Sequence, residues 1–279
     1  MSALVLAERL ASVRGDSEWA RMLPALVTRL CARWGLTLEA PFQPGGFWAW
    51  VAPGRDGLGR PVVLKCSAPG RAPGERAALA AWAGEGATRL YAADGEDALL
   101  LERLLPGRSL RERCDGEQPG LAAAVCARLW LPAAALALPT LADLLAAWQT
   151  QLGWLPAVAA ELCATSVAVQ PRLLHGDLHE ENLLGDGNGY RAIDPDPLVG
   201  DPAFELEPLL RRHLDGDDPA GARALLAACA SLGADPARSL AWAAVRAEVY
   251  EAFCAAAGDR PRVETWQLRR ARLQQLSGR

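Results

Sequence analysis

At 279 residues the chain exceeds one minimal core and fits one two-lobed unit or two small domains. Its 51% hydrophobic content, interleaved with Arg and Glu, excludes a disordered chain. A net charge of −4 with no basic stripe argues against nucleic acid as a partner and suits a cationic ligand better.

The first residues, MSALVLAERLASVRGDSEW, have no basic n-region, long apolar core or small-residue cleavage site, so no signal peptide is expected. No apolar run reaches the length of a bilayer span, because Arg128 and Pro132 interrupt the nearest one, and a cytoplasmic protein with no membrane partner is expected. Seven cysteines without CxxC spacing predict reduced, mostly buried thiols.

Helical spacing of apolar residues predicts a helix over 19 to 34, stopped at Gly35. The β-prone runs 47 to 52 and 61 to 67, separated by PGRDGLGR, predict a hairpin. A helix over 73 to 86, with Glu75 in its first turn, leads to the strand candidates TRLYAAD and ALLLERL. The order strand, strand, helix, strand, strand ends near Leu105, and Pro106-Gly107 reads as a linker between lobes at 1–105 and 106–279. Beyond it, Ala- and Leu-rich periodicity predicts helices near 119 to 130, 141 to 152, 156 to 166, 203 to 213, 219 to 232 and 238 to 257. That mainly α lobe is interrupted by PRLLHGDLHEENLLGDGNGYRAIDPDPLVGDP, residues 171 to 202, and so long an irregular stretch usually carries function.

Turn residues Asp186 to Gly189 between short apolar runs predict a hairpin over 182 to 194. Cross-strand neighbours lie roughly 5 Å apart, which brings Asn182 and Asp194 close enough to share one cation. Hard oxygen ligands, few in number, suit Mg²⁺ completed by substrate phosphates. Asp177, on the loop after PRLLHG, could accept a proton from an attacking hydroxyl. Of 29 basic residues only Lys65 is lysine, which marks a point-charge ammonium for a phosphate, although a snorkelling surface lysine is the plainer reading. Taken singly, each of these residues also has an ordinary reading as a cap or turn residue, and His175 with His179 makes a weak zinc pair. Their joint occurrence points to phosphoryl transfer.

The string HGDLHEEN, 175 to 182, resembles the HGDxHxxN catalytic loop of aminoglycoside phosphotransferases, relatives of the protein kinases, and AIDPD resembles their metal-binding segment. VVLK and the Glu of GERAALAAW resemble the Lys and Glu that pair over the phosphates, and LLLERLLPG resembles the inter-lobe hinge. More narrowly, ARWGLTLEAPF, GGFWAWV, LLLERLLPGRSL, LLHGDLHEENLL and AIDPDPLVGDPAFELEPLLR are similar to the streptomycin kinase branch, the aminoglycoside/hydroxyurea resistance kinases. The resemblance implies an α+β, bilobal protein-kinase-like fold, with a small antiparallel sheet lobe before a larger mainly α lobe. It implies ATP and Mg²⁺ as cofactors, Asp177 as the catalytic carboxylate, Asn182 and Asp194 as metal ligands, and Lys65 with Glu75 as the phosphate-positioning pair. Glu102 to Leu104 would meet adenine through backbone groups, Gly45 and Gly46 would cover the phosphates, and Gly200-Asp201 would support the catalytic loop. Relatives often carry lysine where this chain has Asp196.

A cationic acceptor would favour carboxylates opposite Asp177, and Asp196, Asp201, Glu205 and Glu207 follow the metal segment. Glu205 and Glu207 read equally as acids complementing a helix dipole. Trp48 and Trp50 could flank the nucleotide. The expected function is Mg²⁺-dependent transfer of the ATP γ-phosphate to a hydroxyl of a small molecule, an aminoglycoside of streptomycin type, with no obligate protein partner. The alternatives are a kinase of another small metabolite, such as a sugar or amino alcohol, and a nucleotide-binding pseudoenzyme. Only six residues, 195 to 200, separate Asp194 from Asp201, too few for the activation loop of a protein kinase.

Overall fold

The structure, a computed structural model, describes residues 17–43, 49–70, 74–133, 136–165 and 170–278. The chain divides into two compact units, Met1–Leu105 and Pro106–Arg279.

In the first unit, helix α1 (Ser17–Trp34) is followed by strands β1 (Thr37–Leu38), β2 (Ala49–Arg55) and β3 (Pro61–Ser67), helix α2 (Glu75–Trp82), and strands β4 (Leu90–Asp94) and β5 (Ala98–Glu102). The strands form one antiparallel sheet in the order β1-β2-β3-β5-β4. Trp19, Leu23 and Leu30 of α1 bury against Trp50 and Ala52 of β2 and Leu64 and Cys66 of β3, so the apolar stripe of the helix covers one sheet face. In α2 the buried residues are Glu75, Ala78, Leu79 and Trp82, a single helical stripe. The helix stops at Ala83, in the left-handed region with φ 50°, before the expected end at Gly86. Residues 44 to 48 and 71 to 73, which hold part of the expected first strand and the start of that helix, lie outside the described residues.

Two departures from the sequence reading share one cause. Pro53 and Gly54, read as the start of a turn, continue β2, and β1 was not anticipated. A Cβ on Gly54 would lie 2.5 Å from the Thr37 carbonyl oxygen, so it is the missing side chain that lets the edge strand β1 close on β2.

The second unit is mainly helical: α3 (Gln118–Leu129), α4 (Leu141–Leu152), α5 (Ala157–Thr165), α6 (Leu206–Asp215), α7 (Pro219–Ala230), α8 (Pro236–Ala256) and α9 (Arg260–Leu276). The segment between α5 and α6 carries four short strands, β6 (Arg172–Leu174), β7 (Leu183–Gly185), β8 (Tyr190–Ala192) and β9 (Leu198–Gly200). These pair as two antiparallel ladders, β6 with β9 and β7 with β8. The core beneath them includes Leu173, Leu174, Phe204, Leu210 and Trp242, with the Phe204 and Trp242 rings edge to face at 5.4 Å. Helix α9 was not expected from periodicity, because its buried residues are Trp266 and Leu273, two positions in an arginine-rich face. Its start signals were present, however: Asp259 caps the Arg262 amide and Pro261 occupies the first turn. Among the described residues no helix is long and apolar enough to cross a membrane.

Gly54→Val is expected to displace β1 and cost about 1–3 kcal/mol, read as a lower denaturation midpoint of the purified protein; an unchanged midpoint would show that β1 does not depend on that close approach.

Candidate functional site

Lys65 lies in the middle of the central strand β3, paired with Val51 on one side and Leu99 on the other. Its Nζ is 2.7 Å from both carboxylate oxygens of Glu75. Lys65 is 6% exposed and Glu75 is fully buried, so this is not a solvated surface lysine. Removing one partner of such a pair strands a buried charge at a cost of about 3–5 kcal/mol. At the end of β5 the Glu102 amide donates to the Arg89 carbonyl at 2.8 Å, and the Glu102 carbonyl accepts the Thr88 hydroxyl at 2.9 Å. The Glu102 amide is therefore committed within the unit. Leu104 follows as a buried residue. Gly45, Gly46 and Trp48 lie outside the described residues, and Trp50 is buried in the core beneath α1.

In the second unit β6 delivers the chain to His175-Gly176-Asp177, and three independent contacts shape that loop. Fully buried Glu205 accepts the His175 amide at 2.5 Å and the Gly176 amide at 3.0 Å. The Gly176 carbonyl accepts from both terminal nitrogens of Arg246 at 3.3 Å. Gly176 itself has φ 83°, and a Cβ there would stand 1.8 Å from the Asp196 carbonyl oxygen. Glycine is required on both counts, and its absent side chain lets the Asp196 amide reach the His175 carbonyl at 2.9 Å. Burial pushes the His175 imidazole down to about 4, so the ring is neutral near pH 7. Its Nε2 faces the Ile193 carbonyl at 2.9 Å; a carbonyl can only accept, which places the proton on that nitrogen.

The Asp177 side chain stays 44% exposed while its backbone is held: the Asp177 carbonyl accepts the Asn182 Nδ2 at 3.0 Å and the His179 amide at 3.0 Å. That use of Nδ2 leaves the Asn182 Oδ1 as the atom able to meet a cation. The β7–β8 hairpin continues one step further, with the Ile193 amide on the Asn182 carbonyl at 2.9 Å, and so sets Asp194 beside Asn182. Asp194 is exposed and has φ 58°. A non-glycine residue in that region is uncommon, and doubly so before a proline. An amide oxygen and an exposed carboxylate at the two ends of one hairpin are the hard donors that fit Mg²⁺.

The four carboxylates expected to face the acceptor divide sharply. Asp196 is exposed; crowding by surrounding protein, then the charges of Asp177 and Asp194, raise its carboxyl above the ordinary value, with Arg246 opposing. Asp201 and Glu205 are corrected: both are buried and occupied. Asp201 caps the Ala203 amide at 2.9 Å, accepts the Trp242 indole at 3.2 Å and pairs with Arg238, while Glu205 spends both oxygens on the 175–176 backbone. Glu207 is likewise buried, held by Arg211 at 2.8 and 2.9 Å and lying 3.1 Å from Arg246. Despite its burial, Arg211 and then Arg246 keep its carboxyl below the ordinary value.

Arg211, Arg238 and Arg246 were not anticipated. The one signal available was the Glu207–Arg211 spacing of four on a helix; Arg238 and Arg246 come from α8 and reach this segment only through the fold.

The fold of the chain is that of small-molecule kinases related to the protein kinases. It matches a choline/ethanolamine kinase family protein from Mesorhizobium loti with a TM-score of 0.61 at 18% identity, covering 88% of this chain and 90% of that one. It also matches aminoglycoside phosphotransferase APH(4)-Ia, in a thermostable mutant complexed with AMP-PNP and hygromycin B, with a TM-score of 0.55 at 14% identity over 90% and 97% of the two chains. Residues 33–258 match the model of the aminoglycoside/hydroxyurea antibiotic resistance kinases, and the chain belongs to that family. It is 38% identical over 215 residues to the hydroxyurea phosphotransferase of Kitasatospora aureofaciens, covering 69% of this chain and 62% of that relative. It is 33% identical over 230 residues to the streptomycin 6-kinase of Streptomyces griseus, covering 74% and 73%.

Burial is the largest influence on Glu205 and pushes its carboxyl up to about 7 against the two amides and Arg246 that favour the charged form. Between the ordinary value of 4.5 and 7 the folded chain therefore holds a proton that the unfolded chain has lost, so stability falls as pH rises through that window. Glu205→Gln does not titrate, so the stability of wild type minus variant is expected to be larger at pH 5 than at pH 7.5, by on the order of a few kcal/mol in denaturant unfolding. A difference independent of pH would refute the shift.

Proposed function

We propose that the chain is a Mg²⁺-dependent phosphotransferase that moves the γ-phosphate of ATP to a hydroxyl of a small molecule. The observation that carries this reading is the loop at 175–177, whose backbone is held by Glu205 and Arg246 while the Asp177 side chain stays 44% exposed. A carboxylate held in that way is suited to accept the proton of an attacking hydroxyl, and phosphoryl transfer asks little more of a protein than positioning and charge neutralisation.

Nucleotide binding is assigned to the unit Met1–Leu105, and the catalytic loop and acceptor to Pro106–Arg279. Lys65, oriented by Glu75, is assigned to the α and β phosphates, with Leu104 and the Glu102 carbonyl toward adenine and Gly45 and Gly46 over the phosphates. Asn182 through Oδ1 and Asp194 through its carboxylate would hold Mg²⁺, which would neutralise phosphate charge when bound. Asp177 is assigned to the acceptor hydroxyl.

For the acceptor, the likeness to streptomycin 6-kinase supports an aminoglycoside of streptomycin type, which Asp196 could meet through an ammonium or guanidinium group. A second reading is a small neutral hydroxyl compound of the hydroxyurea kind. It is favoured because Asp201, Glu205 and Glu207 are consumed inside the protein, which removes three of the four carboxylates that a cationic acceptor would have met.

Coupled ADP release should be stimulated by streptomycin under the first reading and by hydroxyurea under the second, and stimulation by neither would reject both acceptors. Asp177→Asn is expected to lower kcat by about 100-fold or more while ATP affinity stays within about twofold; strong residual turnover would remove Asp177 from the acceptor step. Lys65→Arg keeps the charge but replaces a compact ammonium with a planar fork, and a rise in the KM for ATP of about tenfold is expected. Unchanged kinetics would leave the pair with a role in stability alone.

A further inference from the structure

Resting on the assignment of Asp177 to the acceptor hydroxyl, one further residue can be given a role. We propose that Arg211 is the positioning residue for the Asp177 carboxylate, aimed by Glu207.

Glu205, Arg246 and Asn182 hold main-chain atoms of the loop, but no hydrogen bond joins any of them to the Asp177 carboxylate. The carboxylate is met from two sides. Arg211 Nη1 lies 3.8 Å from Oδ1, and His179 Nε2 lies 3.6 Å from Oδ2. Both separations exceed a hydrogen bond, so the Arg211 guanidinium acts on the carboxylate through its charge and leaves the carboxylate oxygens able to accept from a hydroxyl.

Arg211 is the better held of the two. Its Nε and Nη2 are spent on Glu207 in a bidentate fork of 2.9 and 2.8 Å, which leaves Nη1 as the corner turned to Asp177. The guanidinium also lies over the Trp266 ring at 5.3 Å and the Tyr250 ring at 5.7 Å, and those rings stack on each other at 5.2 Å. It cannot swing away without losing both kinds of contact. Glu207 faces two guanidinium groups with one charge, and Arg246 is turned to the Gly176 carbonyl. The surplus positive charge is left on the Asp177 side.

A helix, α6, thus supplies both restraints on the loop: the residue just before it, Glu205, fixes the backbone, and its own Arg211 orients the reacting side chain. Without Arg211 the carboxylate would rotate freely about its side-chain bonds, and misplacement of about 1 Å at a reacting group costs on the order of 100-fold in rate.

The test uses Arg211→Gln and Arg211→Lys with Arg269→Gln as control. Arg269 lies over the same Trp266 ring at 4.5 Å and makes its own bidentate pair with Asp215 at 2.7 Å, and no contact joins it to Asp177. Arg211→Gln is expected to lower kcat about 10–100-fold with the KM for MgATP within about twofold. Arg211→Lys keeps a charge but loses the fork and should fall in between; it carries the test if the glutamine variant does not fold. Arg269→Gln should keep kcat. Full kcat in a folded Arg211 variant, or an equal loss in Arg269→Gln, would overturn the role. Asp177→Asn separates this from the parent reading: activity retained there removes the acceptor step itself, whereas an inactive Asp177→Asn beside a fully active Arg211→Gln removes only the positioning role.

Discussion

One buried carboxylate determines the conformation of the loop on which the rest of the second unit converges. Glu205 takes two successive backbone amides, those of His175 and Gly176, in a setting where burial favours the neutral acid. A carboxylate accepting two successive amides fixes the orientation of both peptide groups. The left-handed Gly176 that follows turns the chain so that Asp177 emerges while its neighbours stay buried. In this irregular segment side chains meet the His175 and Gly176 amides and the Gly176 carbonyl, groups that a ladder would otherwise satisfy.

The acids flanking the start of α6 show why that arrangement needs arginine. Asp201, Glu205 and Glu207 are all buried, and each would be costly alone. Arg238 answers the first, main-chain amides the second, and Arg211 with Arg246 the third. Guanidinium serves where ammonium would not: it pairs bidentately with a carboxylate and lies against Phe204, Tyr250 and Trp266 without a heavy loss of hydration. In a chain whose basic residues are nearly all arginine, that preference has become a building material.

How much could be read from the residues alone follows from the range of the interactions. Helices with a full apolar stripe, such as α1 and α4, and strands such as β3 and β5 were legible, since their pattern is local. The 182–194 hairpin was legible from its turn residues. Strand β1 was not, because it exists through a close approach at Gly54 that composition reads as a turn, and α9 was not, because two buried residues make no visible period. At the site, the residues with an ordered spacing, Asp177, Asn182 and Asp194, were visible as a group. The acids after them were visible only as acids. Whether an acid faces solvent or the core depends on partners more than 25 residues away, such as the 37 separating Arg238 from Asp201 and the 29 and 30 separating Glu205 from its two amides.

Lys65 has a consequence that concerns chemistry at amines. As the only lysine it is the one side-chain amine that acylating or reductively alkylating reagents can modify, and it is paired with Glu75 at 6% exposure. Acylation of a side-chain amine in the folded protein therefore reports on the accessibility of Lys65 alone, with no background from other side-chain amines. The same scarcity bars the usual attachment of ubiquitin-like tags to surface lysines.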